Sequence, residues 1–283
     1  MEVKVVSGDI TKLPVSAIIV NLFEGVKSPG GATGAVDQAL GGLITQLIAG
    51  GEIKGKRNEL TLIHSMGKIT PERVVVAGLG KEGELTLSGI RGVAAEACRF
   101  LRRVGVKDVA TIAHGAGVGG IDAEKSAQAV TEGAMLGLYT FRKHLTKEAE
   151  EGEIEQLVIV ERDEEKLAEL ELGCIMGRIM AEATNLARDM ANEPANYMTP
   201  THMAEVAQRV ADDWGLECLI LEQADMERLE MGALLSVARG SRQLPKLILL
   251  SYKGGDPSKS PLGLVGKGIT FDAGGISIKP SEG

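Results

Sequence analysis

The stretch RVVVAGLGKEGELTLSGIRGVAAEACRFLRRVGVKDVATIA, residues 73–113, decides the fold class. It opens with a strand pattern over residues 73–77 and closes with another over residues 109–113. Between them, Ser88 is the predicted N-cap of a helix whose apolar residues recur at helical spacing until Gly105. A strand, a helix and a second strand in this order predict a parallel βαβ unit, and therefore an α/β fold.

The same alternation extends to both sides of this stretch. Further strands are predicted over residues 3–6, 17–20, 59–64 and 157–160, and helical stretches over residues 36–48 and 122–144. Such alternation implies parallel pairing of the strands. We expect one α/β domain over residues 1–162.

A single helical pattern follows over residues 163–190 and would be about 40 Å long, which suits a linker helix between domains at residues 163–191. Thr199-Pro200 then begins another helix, as an N-cap followed by proline in the first turn. Strands are predicted over 217–221, 247–252 and 263–265, and a helix over 226–235. We expect an incomplete second α/β domain over residues 192–283.

Composition excludes several classes of function. The 283 residues carry a net charge of −8 and eight aromatic side chains, which argues against nucleic acid as a partner. No apolar run approaches the roughly 20 residues that cross a bilayer, and the first residues lack the pattern of a secretory signal, so we expect a cytoplasmic protein that does not bind membranes. Cys98, Cys174 and Cys218 are predicted to be buried, reduced thiols.

The residues with the clearest potential for chemistry lie in VGKGITFDAGGISIKP, residues 265–280. Lys267, Asp272 and Lys279 occur there in a glycine-rich stretch that follows a predicted strand, where α/β proteins place ligands. A carboxylate and a nearby amine can bind a divalent cation, but only if desolvation keeps the amine neutral. A surface salt bridge on a glycine turn explains the same residues, and both interpretations stay open at this point.

This segment closely resembles the VGKGITFDSGG signature, followed by ISxKP, of the leucyl aminopeptidase family, M17. Residues 192–200 and 231–235, then Gly240-Ser241, Pro245 and 247–252, also resemble the family in order and spacing. The resemblance is close over residues 185–283 and looser before them. It implies a cytosolic exopeptidase that removes the first residue of short peptides with two divalent metal ions, Mn²⁺ or Zn²⁺.

The resemblance also implies a role for each residue that matches the signature. Lys267 would bind one metal ion and Asp272 would bridge both, while Lys279 would polarise the scissile carbonyl and stabilise its oxyanion. A metal-bridged water would be the nucleophile. Ala273 stands where the family more often has serine, and such a small side chain need not disturb either ligand.

The family takes its remaining ligands and a catalytic arginine from segments further along, including an NTDAEGR motif, and nothing in these 283 residues matches that motif. We therefore expect this chain alone to hold no stable dimetal centre and to be inactive. Family members commonly form hexamers, so the resemblance also implies self-association of the full-length enzyme.

The first domain offers an alternative function. Residues 7–11, 17–21 and 30–37 resemble the start of a macrodomain, a fold that binds ADP-ribose in other proteins, and the glycine loop at 114–120 could hold phosphates with its amides. The leucyl aminopeptidase family itself has a macrodomain-like N-terminal domain, so an inherited fold without the site is the favoured interpretation. Asp9 is then a turn or cap residue.

Structural or solvated roles are predicted for the four histidines: His64 at a strand end, His114 at the glycine loop, His144 at a helix C-terminus and His202 in a first helical turn.

Overall fold

The computed structural model describes residues 1–117, 120–146, 152–272 and 276–281. It divides the chain into two compact units, Met1–Ala187 and Arg188–Gly283, called here unit 1 and unit 2. The division falls inside the helix Leu167–Asn192, most of which belongs to unit 1. No helix of the described residues is both long enough and apolar enough to span a membrane.

Unit 1 is built on a six-stranded sheet with the strand order β1-β6-β5-β2-β4-β3. The strands are β1 (Glu2–Ser7), β2 (Ala17–Phe23), β3 (Leu60–His64), β4 (Arg73–Gly80), β5 (Asp108–Thr111) and β6 (Gln156–Glu161). Every neighbouring pair is parallel except β3 with β4, which is antiparallel. The expectation of parallel pairing is therefore wrong for β3, because residues 65–72 are too few for the crossover that a parallel pair requires.

The helices of unit 1 are α1 (Gly31–Ala39), α2 (Leu43–Ala49), α3 (Leu87–Arg103), α4 (Ala123–Leu138) and α5 (Leu167–Asn192), whose last residues belong to unit 2. The helical stretch predicted over 36–48 is two helices, because Gly41 and Gly42 between them have φ of 76° and 81°. The N-cap of α3 is Thr86 rather than Ser88, since the Thr86 hydroxyl accepts a hydrogen bond from the Gly89 amide at 3.1 Å.

Helix α4 ends at Leu138, well before the predicted end near His144. Tyr139 after it has the extended backbone angles φ −57° and ψ 131°, which cannot continue a helix. The Leu138 carbonyl, left without a helical partner, accepts a hydrogen bond from Arg102 Nη1 at 3.1 Å.

The core of unit 1 consists of two hydrophobic clusters that use alternate residues of the same strands. Ala17 and Ile19 of β2 belong to the cluster that includes residues of α3, α4 and α5, whereas Ile18 and Val20 belong to the cluster that includes residues of α1 and α2. Because successive side chains of a strand point to opposite faces, the sheet lies between two helical layers.

The long helix predicted over residues 163–190 is present as α5, preceded by a 3-10 turn at Glu164–Lys166. It packs closely on α4 through two glycines. A Cβ on Gly173 would overlap the Glu124 carbonyl, and one on Gly177 would lie 2.7 Å from the Gln128 carbonyl oxygen. Glycine is therefore required at both positions for the two helices to approach this closely.

Unit 2 contains α6 (Pro200–Trp214), β7 (Glu217–Leu221), α7 (Gln223–Arg228), α8 (Gly232–Ala238) and β8 (Leu247–Ser251), with β7 and β8 antiparallel. The predicted start of α6 is confirmed, because the Thr199 hydroxyl accepts a hydrogen bond from the His202 amide at 3.2 Å and Pro200 lies in the first turn. The helix predicted over 226–235 is divided into α7 and α8 at Glu230, where φ is 54°.

The strand predicted over residues 263–265 is not formed. Residues 252–272 contain no helix or strand, and Val265 is fully exposed. A strand requires a partner for its backbone hydrogen bonds, and no other stretch of the described chain pairs with this one. The prediction of a strand is therefore wrong, because the described residues supply no sheet for this segment to join.

Candidate metal centre

Asp272 and Lys279 lie close together in the irregular segment that follows β8. The ammonium of Lys279 donates a hydrogen bond to the Asp272 carbonyl oxygen at 3.2 Å, and its Nζ lies 3.7 Å from Asp272 Oδ2. Both side chains remain well exposed, at 66% for Lys279 and 59% for Asp272. An ion pair this exposed contributes about 0–1 kcal/mol, so it holds the two residues together only weakly.

Lys267 is not joined to this pair. Its side chain is exposed and, within the part of the chain that the structure describes, makes no hydrogen bond or ion pair. The neighbouring Gly268 contacts α6, since a Cβ built there would lie 3.1 Å from Met203 Sδ. The segment is therefore placed against α6 at Gly268, while the lysine beside it faces solvent.

These residues do not fit a dimetal centre as they stand. A lysine amine binds a metal only when it is desolvated, and Lys267 is exposed. The carboxylate of Asp272 faces the Lys279 ammonium, and the described residues contain no cluster of three or more His, Cys, Asp or Glu side chains that could hold a metal ion. The structure has the surface salt bridge that the sequence also allowed. The metal-binding roles of Lys267 and Asp272, and the catalytic role of Lys279, stay predictions.

Unit 1 contains a buried polar network around His114 that the sequence analysis did not identify. The side-chain nitrogen Nδ2 of Asn21 lies 3.1 Å from His114 Nδ1, and Thr111 Oγ1 lies 3.2 Å from His114 Nε2. Thr111 Oγ1 also donates to the Ile19 carbonyl oxygen at 3.2 Å. Asn21 therefore donates to Nδ1, the proton is on Nε2, and Nε2 donates to Thr111, so both ring nitrogens of His114 are hydrogen-bonded.

The imidazole of His114 is fully buried, and this burial lowers its pKa to about 4. A neutral side chain that links β2 to the residues after β5 has a structural role, as predicted for the histidines. The sequence signal was a histidine directly after the predicted strand over residues 109–113, which indicates partial burial but not its hydrogen-bond partners.

The polar residues that suggested nucleotide binding are engaged inside unit 1. The buried Asp37 carboxylate accepts hydrogen bonds from the Thr45 amide at 3.1 Å and the Thr45 hydroxyl at 2.5 Å. It thereby caps α2, whose own N-cap, Gly42, has no side chain. The Thr33 hydroxyl donates to the Asn21 carbonyl oxygen at 2.7 Å.

Asp9 is a cap residue, as predicted. Its carboxylate accepts from the Thr11 amide at 3.0 Å and forms an ion pair with Arg162 at 3.0 Å. The hydrogen bond from the Thr11 hydroxyl is the main reason why the pKa of Asp9 is below its usual value. The glycine loop proposed to hold phosphates includes Val118 and Gly119, which lie outside the described residues.

The remaining histidines show one departure from prediction. His64 ends β3, and His202 lies in the first turn of α6 with Nδ1 3.1 Å from Glu205 Oε2, both as expected. His144 does not lie at a helix C-terminus, because α4 ends earlier, and its ring centroid is 5.9 Å from that of Phe141.

All three cysteines are free thiols. Cys98 and Cys174 are buried, and burial raises both pKa values, that of Cys98 to about 12. Cys218 on β7 is only half-buried, so the prediction of a buried thiol is wrong there, because the two-stranded sheet of unit 2 covers it incompletely.

Two family models match the chain. The N-terminal domain of the cytosol aminopeptidase family matches residues 19–148, and the catalytic domain of the same family matches residues 185–283. The catalytic match contains Lys267, Asp272 and Lys279.

Curated relatives match over the full length of the chain. The chain is 42% identical to a probable cytosol aminopeptidase of Alkaliphilus metalliredigens (strain QYMF), over 100% of the chain and 57% of that protein. It is 37% identical to a probable cytosol aminopeptidase of Geobacter sulfurreducens, over 100% of the chain and 56% of that protein. The chain thus spans little more than half the length of these relatives.

Two solved structures have a similar fold. The bottromycin maturation enzyme BotP in complex with Mn matches with a TM-score of 0.73 and 28% identity, over 94% of this chain and 51% of that chain. A tomato leucine aminopeptidase mutant matches with a TM-score of 0.78, over 98% of this chain and 56% of that chain, but at 22% identity this likeness concerns the fold alone.

Proposed function

The chain belongs to the cytosol aminopeptidase family, and from this premise we propose that it supplies the first half of a metal-dependent aminopeptidase. The proposed enzyme acts in the cytoplasm and releases N-terminal amino acids of the leucine type from short peptides. The observation that carries the proposal is the glycine-rich segment with Lys267, Asp272 and Lys279, which lies inside the match to the catalytic domain. Assembly into hexamers is part of the same proposal.

In this proposal Lys267 and Asp272 would be metal ligands and would help to hold divalent ions, Mn²⁺ or Zn²⁺, provided that packing in the longer enzyme desolvates the Lys267 amine. When bound, such ions make a water molecule nucleophilic near neutral pH. Lys279 is the proposed catalytic residue, because its ammonium can donate hydrogen bonds to the oxygen of the scissile carbonyl as negative charge develops there. Its exposed pairing with Asp272 contributes only about 0–1 kcal/mol and does not prevent Lys279 from turning to a substrate.

The chain alone supplies too few ligands for this chemistry, so we propose that it is inactive by itself. Incubating residues 1–283 with Mn²⁺ or Zn²⁺ and measuring hydrolysis of Leu-p-nitroanilide checks this directly. Robust turnover by the isolated chain would refute it.

A chimera tests the activity itself. It joins residues 1–283 to the part of the Alkaliphilus metalliredigens relative that has no counterpart in this chain. We expect metal-dependent hydrolysis of Leu-p-nitroanilide and a loss of at least about 1,000-fold in kcat for Asp272→Asn, the size of effect seen when a group essential to the reaction is removed. Asp256→Asn is the matched control, because Asp256 is an exposed carboxylate of the same irregular segment. A folded chimera without activity, or one in which both variants behave alike, would contradict the proposal.

A further inference from the structure

Helix α5 has two apolar faces, and only one of them is covered. The covered face packs within unit 1 and consists of the buried residues Leu170, Gly173, Cys174, Gly177 and Ala181. Leu170 and Cys174 belong to the larger hydrophobic cluster, and the two glycines bring α5 against the backbone of α4. This face fixes α5 to unit 1.

The second face, called here the outer stripe, lies roughly 150° around the helix from the first, given 100° per residue. Its side chains are exposed by between 38% and 52%. Five of them recur at spacings of three or four, and the sixth lies two helical turns further on: Leu172, Ile175, Met176, Ile179, Met180 and Leu186. Elsewhere in the described part of unit 1 only four large apolar side chains are exposed, and they are scattered: Met1, Met66, Val104 and Leu145. Unit 1 thus concentrates its exposed apolar surface on one face of one helix.

A helix that is apolar on opposite sides is normally buried on both. Contiguous apolar patches on a protein surface mark places where another part of a protein binds. We propose that the outer stripe is the docking surface for the part of the aminopeptidase catalytic domain that the longer relatives have and that this chain does not match. This inference rests on the proposed function in one respect: the segment that covers the stripe is identified as part of an aminopeptidase.

Two observations favour this occupant. The match to the catalytic domain begins at residue 185, inside α5, so the helix that carries the stripe leads directly into that domain. The relatives also contain a large stretch without a counterpart here, since the chain matches only 57% of the Alkaliphilus metalliredigens protein. A segment of that length is sufficient to form a covering layer.

The width of the stripe argues against the helix of a second copy as the occupant. Leu172, Met176, Ile179 and Leu186 follow one another at spacings of four, three and seven, which fit the narrow seam of a coiled coil. Ile175 and Met180 widen the stripe on both sides of that seam, as in a helix that packs on a layer of several elements.

Thiol labelling tests the proposal. In a Cys218→Ser background, Ile179→Cys places a reactive group in the stripe, while Cys98 and Cys174 stay buried. We expect maleimide to label I179C rapidly in residues 1–283 and at least tenfold more slowly in the chimera described above. The control is Arg178→Cys, at an exposed position outside the stripe, whose labelling rate should change less than twofold. Circular dichroism checks that each variant is folded. The labelling rates can also be compared with and without the relative's segment co-expressed as a separate chain.

Equal labelling of I179C in the chain and in the folded chimera would overturn the inference. Slow labelling of I179C in a homodimer of residues 1–283 would also overturn it, because a second copy would then cover the stripe. Protection of I179C in a chimera without peptidase activity would support the docking surface and contradict the proposed function. Peptidase activity in a chimera whose I179C stays reactive would support the proposed function and contradict the docking surface.

Discussion

Units 1 and 2 contain similar apolar patterns, but only unit 1 encloses them. In unit 1 a six-stranded sheet is covered on both faces, and residues such as Ile18 and Ile19 of β2 are almost fully buried. In unit 2 a two-stranded sheet leaves Leu219, Leu249 and Leu250 exposed by 42–55%. An apolar sequence pattern therefore specifies which face of a helix or strand favours burial, whereas burial itself requires a second layer of secondary structure that covers this face.

The same difference separates the polar residues of the two units. Asp37 and His114 in unit 1 are buried, and each has two or more hydrogen-bond contacts that fix its geometry. Asp272 and Lys279 in unit 2 are exposed and joined by a weak pair. A site residue acquires a defined geometry only when the surrounding core holds its backbone and excludes water.

The largest expected effect is a difference in stability between the units. We expect unit 2 to unfold at a lower urea concentration than unit 1, with a free energy of unfolding lower by about 5 kcal/mol, because it has little enclosed apolar surface. The single tryptophan, Trp214, lies in unit 2, so its fluorescence follows unit 2, while most of the far-UV circular dichroism comes from unit 1. Coincident transitions of the two signals would contradict the expected difference in stability between the units.

The second prediction concerns acid. The pKa of His114 is about 4 in the folded state and near 6.5 when the chain is unfolded, so the unfolded chain binds more protons between these values. The contribution of the neutral imidazole to the free energy of unfolding is therefore fully present above pH 6.5 and is lost as the pH falls towards 4. The expected loss is about 3 kcal/mol for unit 1.

Urea unfolding followed by circular dichroism between pH 7 and pH 4.5 measures this loss. His114→Gln should flatten the pH dependence, whereas His64→Gln, at an exposed strand end, should leave it unchanged. If the free energy of unfolding of His114→Gln still falls with pH to the same extent, another group in unit 1 is responsible.

The third prediction concerns the covered face of α5. Gly173→Ala should destabilise unit 1 by about 2–3 kcal/mol, because the new Cβ would overlap the Glu124 carbonyl and separate α5 from α4. The matched control is Gly92→Ala in α3, where the nearest atom to a new Cβ is Asn58 Oδ1 at 3.8 Å. There the better helix propensity of alanine should stabilise by roughly 0.5–1 kcal/mol. Equal effects of the two substitutions would contradict the close approach of α5 and α4.

The sequence was sufficient to predict much of unit 1, and the failures have local causes. All six strands could be predicted, because each is a short apolar run between turn signals. The antiparallel pairing of β3 and the division of the predicted 36–48 and 226–235 helices could not, since these depend on loop length and on φ at Gly41, Gly42 and Glu230. Such features depend on single residues, whereas periodicity averages over many.

For the candidate site, the residue types could be predicted and the geometry could not. Lys267, Asp272 and Lys279 are candidates because they lie in a glycine-rich stretch after a predicted strand, and their roles come from a family signature that describes a complete catalytic domain. Their arrangement depends on elements that pack around them, and the side chains of both Asp272 and Lys279 remain well exposed. His114 shows the opposite case, because its partners Asn21 and Thr111 are brought together by strand order rather than by any local motif.

The smallest expected effect comes from the exposed pair itself. Lys279→Met in residues 1–283 should change the stability of unit 2, measured by Trp214 fluorescence, by less than about 0.5 kcal/mol, because the pair is well exposed and solvent screens it. In the chimera the same substitution should lower kcat by at least about 100-fold, since the removal of one oxyanion donor has an effect of that size. The contrast between the two measurements separates a surface salt bridge from a catalytic residue. A large loss of stability in the isolated chain, with unchanged kcat in the chimera, would assign Lys279 to structure instead.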